Sequence, residues 1–136
     1  MMTRTVSLVG LRLLVVEDEA LVAMMLEEML ADLGCIVVTM AASVSRGLAL
    51  VGDAALDLDA AVLDVNLGGE KVYPVAEKLT AKGVPFIFST GYGSTGIAPG
   101  FERVPTLAKP YDAQMLEITL LSMLTGAPPK TEPKRD

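Results

Sequence analysis

A chain of 136 residues is the size of one domain, large enough to bury a core and too small for two. Apolar residues make up 51% against 21% charged, a composition of packed globular proteins rather than of disordered or fibrous ones. Lys and Arg number 11 against 17 Asp and Glu, a net charge of -6 that repels phosphate backbones and argues against direct nucleic-acid binding.

There is no histidine, which excludes Ser/His and Cys/His nucleophile pairs and His-ligated zinc sites. The single cysteine, Cys35, cannot form an intrachain disulfide and reads as a small buried hydrophobe. The apolar run Leu21–Leu26 falls far short of the about 20 residues of a membrane span. A soluble cytoplasmic protein with no membrane partner is expected.

In chain order, Leu11–Val16 is a short apolar run ending abruptly in Glu17-Asp18-Glu19, the pattern of a buried strand with carboxylates at its exit. From Ala20 to Leu33, Leu21, Met25, Met29 and Leu33 recur every four positions and predict an amphipathic helix closed by Gly34. Its methionines Met24, Met25 and Met29 are read as core. Cys35–Thr39 is a second β-branched run, and Ser43 caps a helix reaching about Val51. Asp59–Val65 repeats the first pattern, with Asp64 at its exit facing Asp18 across neighbouring strand ends. A helix over Val72–Lys82 tolerates Pro74 in its first turn and closes at Gly83.

Phe86–Ser89 is a fourth strand running into Thr90. Residues Gly91–Pro105, rich in glycine and proline, read as a loop or a poor helix. A short strand over Thr106–Ala108 precedes Lys109-Pro110, and Asp112 caps a last helix to about Leu124. The expected division is an N-terminal extension over 1–10, a domain over 11–125 and a disordered, proline-containing tail over 126–136. Alternating strands and helices predict a doubly wound α/β fold with a five-stranded parallel sheet. Ligands in such sheets bind beyond the carboxyl ends of the strands, where Asp18, Asp64, Thr90 and Lys109 all fall.

Three carboxylates, Glu17, Asp18 and Asp64, brought to one mouth repel one another unless a cation neutralises them, and oxygen-only ligands select a hard ion such as Mg2+. Acids, one lysine and one hydroxyl together suit phosphoryl transfer, with Asp64 the natural nucleophile.

Four segments in order then resemble the receiver domain of bacterial response regulators. They are Val15-Val16-Glu17-Asp18-Glu19, Leu63-Asp64-Val65-Asn66-Leu67, Ser89-Thr90-Gly91 and Ala108-Lys109-Pro110, and the resemblance spans Leu11 to Leu124. It implies a flavodoxin-like, CheY-like fold and a two-component role in which Asp64 accepts a phosphoryl group. By the same resemblance Asp18 and Asp64 are direct Mg2+ ligands, Glu17 acts through a bound water, and Asn66 contributes its backbone carbonyl. Thr90 is the switch hydroxyl, Gly91 offers a backbone N–H, Lys109 contacts the phosphoryl group, and the peptide to Pro110 is cis. Phe88-Ser89-Thr90-Gly91-Tyr92-Gly93 is similar to the FATGUY subgroup of receivers except at Ser89 and Gly93, as is Asn66-Leu67-Gly68-Gly69-Glu70. That likeness implies a sensor histidine kinase of the HWE/HisKA2 type, or a phosphotransfer protein, as partner.

Two departures stand out. Only 19 positions separate Thr90 from Lys109, so the fourth helix of the family is expected to be short, mobile or absent. Thr106 occupies the place of the aromatic switch residue of many receivers, leaving Tyr92 as a candidate substitute; Tyr73 and Tyr111 read as packing and rim residues. The expected function is that of a stand-alone receiver that signals by conformational change, onward transfer or acting as a phosphate sink, without turnover of a separate substrate. The alternatives are a pseudo-receiver that docks without phosphorylation and an aspartate-nucleophile phosphohydrolase. The second normally needs an aspartate two residues after the nucleophile, where this chain has Asn66.

Overall fold

A computed structural model describes residues 7–91 and 96–126. The expectations for residues 1–6, for Tyr92 and for the tail from 127 lie outside the described residues. The strands are β1 (Arg12–Val16), β2 (Ile36–Ala41), β3 (Ala60–Asp64), β4 (Asn66–Leu67), β5 (Glu70–Lys71), β6 (Phe86–Thr90) and β7 (Thr106–Ala108). Five of them form one sheet in the order β2-β1-β3-β6-β7, and every pairing in it is parallel. The helices are α1 (Ala20–Asp32), α2 (Val44–Val51), α3 (Tyr73–Ala81) and α4 (Ala113–Thr125). Four helices are thus present, and the last of them, α4, is the one expected after Asp112. Between β6 and β7, Gly96 is 3-10 helical and residues 97–105 form turns, with no α-helix among the described residues. No helix of the described chain is long and apolar enough to cross a membrane.

The unbroken apolar runs of β1, β3 and β6 follow from burial on both faces. Leu14, Val16, Ala61, Leu63, Phe86 and Phe88 point to a core shared with α2 and α3. The alternate residues Leu13, Val15, Ala60, Val62 and Ile87 pack with Leu26 and Leu30 of α1 and Leu116 and Leu120 of α4. Ser43 and Asp112 cap α2 and α4, each side chain accepting the backbone N–H three residues on.

Helix α1 corrects one expectation. Leu21, Met24 and Met25 are 69%, 60% and 52% exposed, whereas the buried stripe is Ala23, Leu26 and Leu30. A strict spacing of four advances about 40° past a full turn at each step, so Leu21, Met25, Met29 and Leu33 wind off the face that the sheet covers. Met29 and Leu33 reach the core only as partly buried residues.

A small antiparallel hairpin was not legible in the sequence: β4 pairs with β5 around Gly68-Gly69. Both glycines have positive φ, 58° and 95°, as a two-residue type I′ turn requires. Gly34 after α1 is equally constrained, with φ of 90° and a position where an added Cβ would stand 2.9 Å from Val9 Cγ2 and 3.2 Å from Val9 Cα. Gly34→Ala is expected to cost about 1–2 kcal/mol in urea unfolding, because strained backbone and a backbone clash coincide. A loss below a few tenths of a kcal/mol would contradict that geometry.

Candidate functional site

The site lies where β1 and β3 meet at the carboxyl end of the sheet. The chain runs outward from there in both directions, to β2 on one side and to β6 and β7 on the other, which makes it a topological switch point. Each functional side chain sits at a strand exit because an apolar strand body ends there. Glu17 and Asp18 follow β1, Asp64 closes β3, Thr90 closes β6, and Lys109 follows β7.

Glu17, Asp64 and Thr90 are buried, and Asp18 is exposed. Carboxylate oxygens of Glu17, Asp18 and Asp64 lie within 4.8 Å of one another, as expected from the strand ends. Lys109 bridges two of them, its Nζ 3.2 Å from Glu17 Oε1 and 3.3 Å from Asp64 Oδ2. Glu17 Oε2 also accepts the N–H of Glu19 at 3.1 Å. The Lys109 N–H donates to Thr90 O at 2.9 Å, which ties the lysine's backbone to the end of β6. The Lys109-Pro110 peptide is cis, as expected.

Burial raises the Glu17 carboxyl above the usual carboxylate range, and the neighbouring Asp64 charge adds to the rise. The Glu19 N–H and Lys109 oppose it. Burial pulls the Lys109 ammonium down, but Asp64 and Glu17 together overcome that and raise it. Burial also pushes the Tyr111 phenol up to about 12. This is an excess of negative charge only partly neutralised by one lysine, on ligands made of oxygen alone, and it fits a hard divalent cation. Gly68 stands beside the acids, where an added Cβ would lie 3.6 Å from Asp18 Oδ2 in ordinary van der Waals contact.

Asn66 stands at the start of the β4–β5 hairpin, its side-chain oxygen accepting the N–H of Gly69 at 3.2 Å. Thr90 and Gly91 follow one another at the exit of β6, and a Cβ on Gly91 would meet nothing within 4 Å. Thr106 is half-buried, and its hydroxyl donates to Val104 O at 3.1 Å.

Tyr73 does more than pack. Its hydroxyl donates to Gly96 O at 3.2 Å and accepts from the Ala98 N–H at 3.0 Å. Its ring stacks on Phe101 with centroids 5.3 Å apart and meets Phe88 edge-on at 5.8 Å. No local signal in the sequence pairs a helix-start tyrosine with a loop more than twenty residues on.

No family model and no curated protein matches the chain. Solved structures do. The solution structure of SdrG from Sphingomonas melonis Fr1 is 41% identical and covers 88% of this chain and 99% of that one, with a TM-score of 0.75. The solution structure of the BeF3-activated conformation of SdrG from Pseudomonas melonis Fr1 is 43% identical over 85% of this chain and 98% of that one, with a TM-score of 0.72. The response-regulator REC domain of PhyR from Erythrobacter litoralis shares the fold at 23% identity, covering 92% of this chain and 98% of that one, TM-score 0.74. A parallel five-stranded sheet with acids and a lysine at its carboxyl end defines the class, and the likeness to SdrG fixes the membership. The chain belongs to the receiver domains of response regulators.

Proposed function

We propose that the domain accepts a phosphoryl group on Asp64. The observation that carries this reading is Lys109 Nζ held between Glu17 and Asp64 with Asp18 beside them, three acids and one cation at a single mouth. An Asp64 carboxylate oxygen attacks phosphorus, the P–N bond of a partner's phosphohistidine breaks, and the imidazole leaves with the electron pair. Lys109 faces the oxygen of Asp64 that it already pairs with and meets the charge developing on the phosphoryl oxygens. Glu17, Asp18, Asp64 and the Asn66 carbonyl are the residues that would hold Mg2+, which when bound neutralises phosphoryl charge. Thr90 closes the adjacent strand and is the hydroxyl assigned to the loaded group, with the Gly91 N–H beside it.

The phosphodonor is a histidine kinase or phosphotransfer protein, of the HWE/HisKA2 type if the FATGUY likeness holds. Its approach is supported by the apolar surface flanking the site. An apolar recess of about 380 Å³ opens beside Lys109, lined by Val22, Met25, Met29, Pro110 and Tyr111 among others, and Leu21 and Met24 of the same helix α1 are exposed. BeF3 activates SdrG, and the same phosphoryl mimic is the natural probe here.

Intact-mass spectrometry after incubation with acetyl phosphate or phosphoramidate tests the reading. One phosphoryl group is expected to appear only with Mg2+ present, and borohydride reduction of the acyl phosphate followed by peptide mapping is expected to mark Asp64. No gain from either donor or from a phosphorylated kinase, or a mark at another residue, would overturn it.

A further inference from the structure

Tyr73 joins the acceptor side of the domain to the turns that follow Thr90 through its hydroxyl as well as its ring. It begins α3, directly after the hairpin that leaves Asp64, and Val72 N–H donates back to Val65 O at 2.9 Å. Its hydroxyl grips the backbone of Gly96 and Ala98, one group accepting and the other donating. Its ring lies between Phe88, two residues before Thr90 on the same strand, and Phe101 at the far end of the gripped segment. Phe88 also meets Phe101 edge-on at 5.6 Å, so the three rings close on one another. Residues 97–105 form turns without a helix to hold their backbone, and Phe101 N–H to Ala98 O and Val104 N–H to Phe101 O are turn contacts. The tyrosine hydroxyl therefore supplies tertiary anchorage that a helix would otherwise share among its own carbonyls.

We propose that Tyr73 is a positioning latch. Its hydroxyl holds the 96–101 segment down on α3 and sets how readily that segment yields when the Asp64 site is loaded. The inference rests on the acceptor reading above. Rearranging the segment requires breaking both hydrogen bonds, so the latch disfavours any loaded state in which the segment has moved, and removing it raises apparent affinity for the loading group.

Tyr73→Phe isolates the hydroxyl, because it keeps the ring between Phe88 and Phe101. Two measurements on the whole chain decide the matter: amide hydrogen exchange, and titration with beryllofluoride in Mg2+. In the variant, exchange at Ala98 and across 96–101 is expected to quicken about tenfold, as loss of two hydrogen bonds of ordinary strength implies, while amides of β1 and β3 stay as in the wild type. Beryllofluoride is expected to bind about three- to tenfold tighter.

Unchanged exchange in 96–101 would overturn the latch itself. Faster exchange with unchanged beryllofluoride affinity would overturn the coupling and leave Tyr73 a merely structural anchor. Failure of the wild type to bind beryllofluoride with Mg2+ would instead overturn the acceptor reading and the coupling with it, and the exchange result alone would then judge the anchor.

Discussion

Asp64→Asn is expected to abolish the Mg2+-dependent gain of a phosphoryl group, and Lys109→Met to slow it by at least about a hundredfold, the scale of losing one preorganised charge at a phosphoryl-transfer site. The two variants should differ sharply in stability. Asparagine nearly matches aspartate in volume and removes one of three clustered negative charges, so the Asp64→Asn protein should unfold at a urea midpoint equal to or above that of the wild type.

Replacing Lys109 by methionine does the opposite, leaving Glu17 and Asp64, both buried, without the cation that lies 3.2 and 3.3 Å from them. Lys109 keeps 24% side-chain exposure, so the penalty falls below that of breaking a fully buried pair, at about 1–3 kcal/mol near neutral pH.

The pH dependence follows from the direction of the Glu17 shift. Burial, and Asp64 beside it, already raise that carboxyl in the folded state, and losing Lys109 raises it further. Between the unfolded and the folded pKa the folded state binds more protons, so stability falls as pH rises through that interval. The Lys109→Met deficit should therefore be largest at neutral pH and shrink as pH falls toward the ordinary carboxylate range, about 4.5. Mg2+ should restore part of it at neutral pH. A deficit independent of both pH and Mg2+ would place the loss in packing of the lysine stem rather than in the charges.

The strand ends were legible because each couples two signals that a sequence displays directly, an apolar run and the polar residue that stops it. Asp18, Asp64, Thr90 and Lys109 all carry that signature, and all four sit at the strand exits at the carboxyl end of the sheet. What a sequence shows less well is which of several apolar stripes a sheet will cover. On α1 the Leu21 and Met25 stripe competes with Ala23, Leu26 and Leu30, and the second stripe is the one the sheet covers. Strands of two residues such as β4 and β5 are too short for alternation to register, and only the Gly68-Gly69 pair marked them. The Tyr73 contacts were invisible for a different reason: they join backbone groups of an aperiodic segment, so no residue type at 96 or 98 advertises them. The Glu17–Lys109 ion pair, 92 positions apart in the chain, likewise required the fold to become visible.

Phe88→Ala is expected to cost about 3–5 kcal/mol, the largest stability loss of any single change considered, against a total of about 5–15 kcal/mol for a domain of ordinary stability. Phe88 is fully buried, and its ring touches those of Tyr73, Phe86 and Phe101 with centroid separations of 5.8, 5.5 and 5.6 Å. Truncation leaves a cavity that the flanking strands β3 and β7 cannot close, because hydrogen bonds to both hold β6 in place. Alternation along the strand places Phe86, Phe88 and Thr90 on one face, so the cavity opens directly behind the threonine assigned to the loaded phosphoryl group. Phe101→Ala, which removes a half-buried ring from the same cluster, should cost less, on the order of 1–2 kcal/mol. Urea midpoints at constant m-value measure both. Equal losses at 88 and 101 would show that the rings contribute through the turns they pin rather than through the strand, and a loss under about 1 kcal/mol at 88 would contradict the packing described.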